Sequence, residues 1–339
     1  MNKHYAILLF ALLSINAPLC AQEEAVAAEE EEEKGWDTGA GMGFDFAQLF
    51  QLNPRQGAGQ NRLGFGGAVN FFANYKKDRL AWDNLTSWQF GLQRLGAGIV
   101  AQGAVRKIPF QKSIDELRLN SKFGYKTSED SEFFYAANFS YLSQVVPTYT
   151  DPGFSGNFPN ELSDTSSLLS KFFSPAIITI SAGMDYKPID KISIYYSPLA
   201  GKFIIVSDDG IAATGVHGNP VDRDAQGNII AFDNTFSQMG SLLRLNYADN
   251  FMDEKLAFSS ALLLYSNYLQ NPQNIDVDWT NELALTILKN LQLSATLNVF
   301  YDDDVRVQIT DYDFPNGVRG LGKRVSLTQQ LLLKYNVVF

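Results

Sequence analysis

Histidine is scarce in this chain: only His4 and His217 occur. His4 falls in the basic start of an apolar leader, so a serine esterase or lipase would have to draw its proton acceptor from His217. No nucleophile elbow places a serine opposite His217, and a solvent-facing loop histidine needs fewer assumptions. Carboxylates offer a second route. Asp276, Asp278 and Glu282 recur at even spacing and share one face of an extended segment, with Asp302 able to join them from further along. General acid–base catalysis requires two carboxyl groups at a defined separation with differently tuned proton affinities, and spacing reveals neither. The same residues serve more simply as the electrostatic lining of a polar interior, paired with Arg118, Lys122 or Lys334.

Two stretches carry oxygen ligands at spacings that suit a hard cation. Asp222, Asp224, Gln226 and Asn228 alternate around Gly227 in the manner of a calcium loop, but the later acidic residue is missing and Arg223 brings an opposing charge. An Asp/Gly/Asn turn explains the segment equally well. Asp302, Asp303, Asp304, Asp311 and Asp313 form a second oxygen-rich group, in which calcium would stiffen a loop over 303–324; a solvated acidic rim is the alternative. Gly57, Gly59, Gly64, Gly66 and Gly67 suit turns or close backbone approach and lack the strand-to-helix setting of a phosphate-binding loop. The sequence therefore assigns no catalytic, cofactor-binding or metal residue, and it leaves calcium in the acidic loops as the one cofactor worth testing.

The elements that would position these groups are strands. Residues 1–21 read as a secretory signal peptide, with a basic start, the apolar run YAILLFALL and small residues before Gln22. Cys20 is the only cysteine; Leu19 before it is bulky for a lipoprotein signal, and cleavage after Ala21 removes it, which excludes disulfides and thiolate chemistry. Residues 22–35 form an acidic leader that holds Glu23, Glu24 and Glu29 to Glu33, too polar to bury itself. The formal net charge is −10 without a concentrated Lys/Arg patch, which argues against nucleic acid as a partner.

From Trp36 the apolar pattern has a period of two, and candidate strands lie near 37–49, 62–75, 79–92, 113–126, 132–145, 174–187, 191–206, 236–248, 254–267, 275–288, 290–302 and 325–339. Most exceed the usual length of about five or six residues in soluble sheets. One face is apolar and the other polar: Val325, Leu327, Leu331, Leu333, Tyr335, Val337 and Phe339 oppose Ser326, Thr328, Gln330, Lys334 and Asn336. Tyr125, Phe133, Trp279, Tyr301 and Tyr335 fall near strand ends, where amphipathic rings suit a membrane interface. Short turns alternate with long connections at roughly 93–112, 146–173, 207–235, 268–274 and 303–324, the parity of a barrel with turns at one end and loops at the other. Pro147, Tyr149, Pro152, Phe154, Phe158 and Pro159 make one of these loops ring-rich, fitted to plug the mouth or to dock on a partner.

The phrases FDFAQLFQLNPRQGAGQNRLGFGG, LAWDNLTSWQFGLQRLG, LRLNSKFGYKTS, FFYAANFSYLSQ and SPAIITISAGMDYKPIDKISIYYSPLAGKFIIV together resemble the DUF3078 family of outer-membrane proteins from Bacteroidota, over roughly 36–339. The block with GMDYKP followed by YYSPLAGK is the most specific portion. The first phrase departs from the family, so residues 37–49 either open the barrel or pack inside its lumen. The terminal Phe339 is similar to the C-terminal signal by which bacterial outer-membrane barrels are recognised for insertion. The resemblance implies location and supplies no activity.

Together these features predict an all-β fold: a closed, antiparallel transmembrane barrel of twelve strands over 36–339, with long extracellular loops, in the cell outer membrane. Its expected surroundings are outer-membrane lipids and lipopolysaccharide, the insertion machinery during biogenesis, and protein partners at the long loops. The expected function is that of a non-enzymatic structural or interaction subunit of a larger envelope assembly; the alternative is a passive or selective channel for small solutes, and a membrane-embedded hydrolase is a remote third.

Overall fold

A computed structural model of the chain describes residues 35–52, 62–94, 110–151, 154–157, 167–303, 307–311, 313 and 318–338. The expected signal peptide and most of the acidic leader, Gly57, Gly59, Pro152, Phe158, Pro159, Asp304 and Phe339 lie outside the described residues. In chain order the strands are β1 (Gly35–Leu52), β2 (Arg62–Lys77), β3 (Leu80–Arg94), β4 (Phe110–Lys126), β5 (Phe133–Ser143), β6 (Thr148–Asp151), β7 (Phe154–Asn157), β8 (Ser167–Ser170), β9 (Ala176–Ile189), β10 (Ile192–Ile205), β11 (Val221–Arg223), β12 (Ile229–Phe232), β13 (Thr235–Phe251), β14 (Leu256–Asn267), β15 (Asp276–Leu288), β16 (Leu291–Tyr301), β17 (Val307–Thr310), β18 (Val318–Gly322) and β19 (Ser326–Val338). Among the described residues one short helix, α1 (Asp209–Ala212), stands in the connection between β10 and β11.

Among the described residues, twelve of these strands close a ring in the order β1, β2, β3, β4, β5, β9, β10, β13, β14, β15, β16, β19. β19 returns to pair antiparallel with β1, from Gly41 against Val338 to Leu52 against Leu327. β1 is thus a wall strand paired on both edges, which settles its place against the luminal alternative. Closure leaves no strand edge exposed to hydrocarbon, where an unpaired amide is costly. Even the shorter wall strands, such as β5 with 11 residues, rise about 3.3 Å per residue and at a tilt of about 40° still approach the apolar thickness of a bilayer.

The burial pattern inverts that of a soluble barrel. Phe44, Phe46, Phe65, Phe71, Ile180 and Leu333 are exposed on the outer face, while Asn70, Ser87, Ser181, Asp185, Asn246 and Gln292 are buried within. Val325, Leu331 and Leu333 face outward as their alternation requires, and Leu332 between them turns in. At the turn end Trp36 packs 5.2 Å from Tyr75 and 5.7 Å from Trp82, and Phe133 stacks 4.5 Å from Tyr186. Trp82 and Trp279 donate their indole N–H groups to Ser121 and Ser260 hydroxyls on neighbouring strands. These rings form part of an amphipathic girdle.

Two glycines are fixed by close approach. The register of β10 shifts between Tyr196 and Leu199, and a Cβ at Gly183 would lie 2.0 Å from the Tyr196 carbonyl oxygen there. A Cβ at Gly240 would lie 2.0 Å from the Ser266 carbonyl oxygen.

Where they are described, the long connections build further short strands and a helix. The ring-rich loop over 146–173 builds β6, β7 and β8, and the Asn157 pairing with Gln111 extends the wall from β4. Next to it Ile204, Val206, Ile211 and Ala212 pack into a small apolar core with Leu168 and Phe232. Asp208 caps α1 by accepting the Ile211 N–H at 3.0 Å and pairs with Lys171 at 2.6 Å. His217 donates Nε2–H to the Leu169 carbonyl at 2.9 Å, which ties two loops together. Desolvation holds His217 below the ordinary imidazole range. The neutral form is thus the one that fits the fold, so His217's share of stability is present above the ordinary value of about 6.5 and is lost as pH falls below it. Hydrogen-exchange protection factors over 168–171 and 211–219 are expected to fall between pH 7.5 and 5.5, and His217→Gln, which keeps a donor, to flatten that dependence; equal slopes in both proteins would remove the imidazole from the account.

Candidate functional site

Strand alternation brings the charged residues singled out in the sequence into the bore, at two levels. In the turn-side half, Lys122 of β4 pairs with Asp185 of β9 at 2.5 Å, both side chains almost wholly buried. Asp185, 1 % exposed, also accepts the Ser193 hydroxyl at 2.7 Å. Tyr195 packs beneath, its ring 5.8 Å from the Lys122 ammonium and its hydroxyl 3.0 Å from that of Ser181. Glu282 of β15 pairs with Lys334 of β19 at 2.8 Å and accepts the Ser294 hydroxyl. In the ring order β4 stands opposite β15, and β9 stands opposite β19, so the two pairs fill the cross-section from opposite sides. Asn70 of β2 and Asn246 of β13, also opposite one another, are buried with them. A carboxylate and an ammonium withdrawn from water hold their charge only when each finds a partner, which is why the pairs recur.

Nearer the loop end, Arg118 binds Glu116 at 2.7 Å, each side chain 28 % exposed. Asp278 on the facing strand lies within Coulombic reach of Arg118 and accepts an Asn298 N–H at 2.6 Å. Here the side chains keep some accessible surface, and opposite charges cross the bore.

The sequence placed Asp278 and Glu282 inside, with Arg118, Lys122 or Lys334 as partners of the acidic group as a whole; the structure gives Lys334 to Glu282. Lys122 instead takes Asp185, which no spacing rule linked to it; the only signal was its place within GMDYKP. Asp276, Asp302 and Asp303 converge with carboxylate oxygens within 4.8 Å of one another at the loop end. Asp303 also accepts Asn274 at 2.5 Å and lies 3.5 Å from the Lys323 ammonium, which offsets part of the negative charge. Asp311 is turned to its own loop, accepting the Asp313 N–H. Asp222 lies in β11, and Asp224 to Asn228 form the hairpin turn to β12: Asp224 accepts from the Asn228 side chain and from the Asn228 and Gln226 amides, and these bonds hold it below the usual carboxylate range. His217 meets a carbonyl rather than a hydroxyl.

Residues 50–149 match the model of the family described as Protein of unknown function (DUF3078). Over that segment the chain is similar to DUF3078. The match is narrower than the resemblance over 36–339 and leaves the GMDYKP block outside it. No curated relative matches the chain. Among solved structures the chain is similar to the translocator domain of the autotransporter NalP from Neisseria meningitidis, at 7% identity and TM-score 0.40, covering 90% of each chain. It is also similar to the COG4313 outer membrane channel from Pseudomonas putida F1, at 13% identity and TM-score 0.37, covering 92% of this chain and 100% of that one. Outer membrane phospholipase A from Escherichia coli is similar at 8% identity and TM-score 0.37, covering 94% and 95%. Scores of this size carry no argument about activity.

Proposed function

We propose that this chain resides in the outer membrane as a barrel sealed by its own side chains, and that it serves as a structural or interaction subunit of a larger envelope assembly. One observation carries the reading: the buried Lys122–Asp185 and Glu282–Lys334 pairs fill the turn-side bore from opposite walls. Lipid and lipopolysaccharide meet the apolar outer face, and the insertion machinery meets the chain during biogenesis. The loop end supplies the partner surface. Ile230 there is 68 % exposed, with Ile229, Val216, Phe172 and Leu269 also uncovered, and exposed apolar residues of this kind favour contact with another protein.

The alternative reading is a narrow channel for small polar solutes, favoured by the partly exposed Arg118 and Glu116. Conductance separates the two. In planar bilayers the purified protein is expected to give no sustained ion current, and in mild detergent extracts to migrate with a much larger complex. Steady single-channel steps from a protein that migrates alone would reverse the assignment and make Arg118 the constriction.

A further inference from the structure

An amide on the lipid-facing side of the wall is costly unless it is bonded, because hydrocarbon offers it neither donor nor acceptor. Asn84 of β3 meets that condition within its own wall: its amide N–H donates to the Ala73 carbonyl at 2.9 Å, and its oxygen accepts the Ser121 hydroxyl at 2.7 Å. Two other outward amides do not. Asn281 of β15 accepts the Ser260 hydroxyl at 2.9 Å, but its own amide N–H groups meet no acceptor among the described residues. The Gln329 side chain of β19 is exposed and bonds to nothing among them. Both stand well inside the apolar band. Asn281 alternates with the exposed Trp279 on its loop side and with Leu283, Leu285 and Ile287 on its turn side. Gln329 lies between the exposed Val325 and the exposed Leu331, Leu333 and Tyr335; six residues separate it from Tyr335, about 15 Å of depth at about 3.3 Å each and a tilt of about 40°.

The register joins the two amides. Asn281 pairs with Leu297 and Leu297 with Gln329, so they flank one leucine in a row across β15, β16 and β19, about 10 Å apart at the backbone. The next row is Leu283, Ala295 and Leu331, where the single methyl of Ala295 leaves room for another surface to approach. Neither row carries a charge, so a charged partner finds no counter-ion here. The face complements itself instead. A primary amide is both donor and acceptor, and two copies inserted in the same direction are related by a two-fold axis along the membrane normal, which brings like against like. Two Gln329 side chains across that axis exchange a reciprocal pair of N–H···O bonds.

We propose that the outer face of β15, β16 and β19 is the contact between two copies of this chain within the membrane, centred on Gln329 with Asn281 beside it. The contact needs only a wall that stands in lipid, and it holds whether the bore is sealed or open. A benzophenone maleimide coupled to Gln329→Cys, and to Ile180→Cys on the opposite wall as control, is irradiated in isolated membranes and the adducts are identified by mass spectrometry. Gln329→Cys should give an adduct of the chain with itself, and Ile180→Cys lipid adducts. Sedimentation equilibrium of the purified protein in density-matched detergent then reads the affinity. Gln329→Leu/Asn281→Leu should weaken the dimer by about tenfold, the scale of losing hydrogen bonds between membrane-buried side chains. Its heat-shifted gel band should stay at the folded position, because leucine suits a lipid-facing site. A monomer at every concentration, equal self-adducts from both cysteines, a Gln329→Cys adduct with a different protein in place of the chain itself, or a dimer of undiminished affinity in the double variant would each overturn the proposal.

Discussion

Lys122→Met lowers the stability of the folded barrel by about 3–5 kcal/mol, the usual cost of removing one partner from a buried ion pair. Methionine keeps most of the side-chain volume, so the loss comes from charge: Asp185 retains the Ser193 hydroxyl and the more distant field of Lys187, and neither replaces an ammonium at 2.5 Å. The double variant Lys122→Met/Asp185→Asn removes both charges and should recover most of the loss, because a neutral amide is far less costly to bury than an unpaired carboxylate. Denaturant titration in lipid vesicles measures all three proteins. If the double variant is as unstable as the single one, packing rather than charge pairing holds this side of the bore together.

Gly183→Ala and Gly240→Ala each cost at least about 3 kcal/mol, at the upper end of overpacking penalties. The added methyl meets a cross-strand carbonyl oxygen at 2.0 Å in either case, and a backbone atom in a closed ring cannot step aside without breaking the ladder. Gly124→Ala is the control. Its methyl would lie 3.7 Å from the Phe134 ring, an ordinary contact, and the change should stay within about 1 kcal/mol. The heat-shifted gel band reports the folded fraction; normal yields for Gly183→Ala would mean that the β9–β10 irregularity is not fixed by this glycine.

The wall of the barrel is legible in the sequence because its physics is local. A period of two places Leu331 and Leu333 on one face and Lys334 on the other whatever the partner strand, and turn length sets which neighbour comes next. The wall strands follow that rule except where the register shifts, as in β10 between Tyr196 and Leu199. The short strands β6 to β8, β11, β12, β17 and β18 escape it, since three to five residues cannot display two faces. The bore is only half legible. Alternation shows that Lys122 points inward but not which acid meets it, because Asp185 lies 63 residues away and reaches Lys122 across β5. Opposition of Arg118 and Asp278 depends on the ring order, which exists only once β19 has closed on β1. The acidic group at the loop end shows the same limit: Asp302 and Asp303 are adjacent in sequence, whereas Asp276 joins them through the fold.

Closure of the bore by side chains is tested most directly by thiol accessibility, since Cys20 is the only cysteine and lies within the expected signal peptide. Ser294→Cys and Ser181→Cys place a thiol in the buried turn-side half, and Thr328→Cys places one on an inward position nearer the loop end. With the protein in vesicles, a charged methanethiosulfonate reagent should modify Thr328→Cys from the loop side only and leave the other two unmodified from either side. Rapid labelling of Ser294→Cys and Ser181→Cys from both sides would reveal a continuous aqueous path and contradict the sealed barrel.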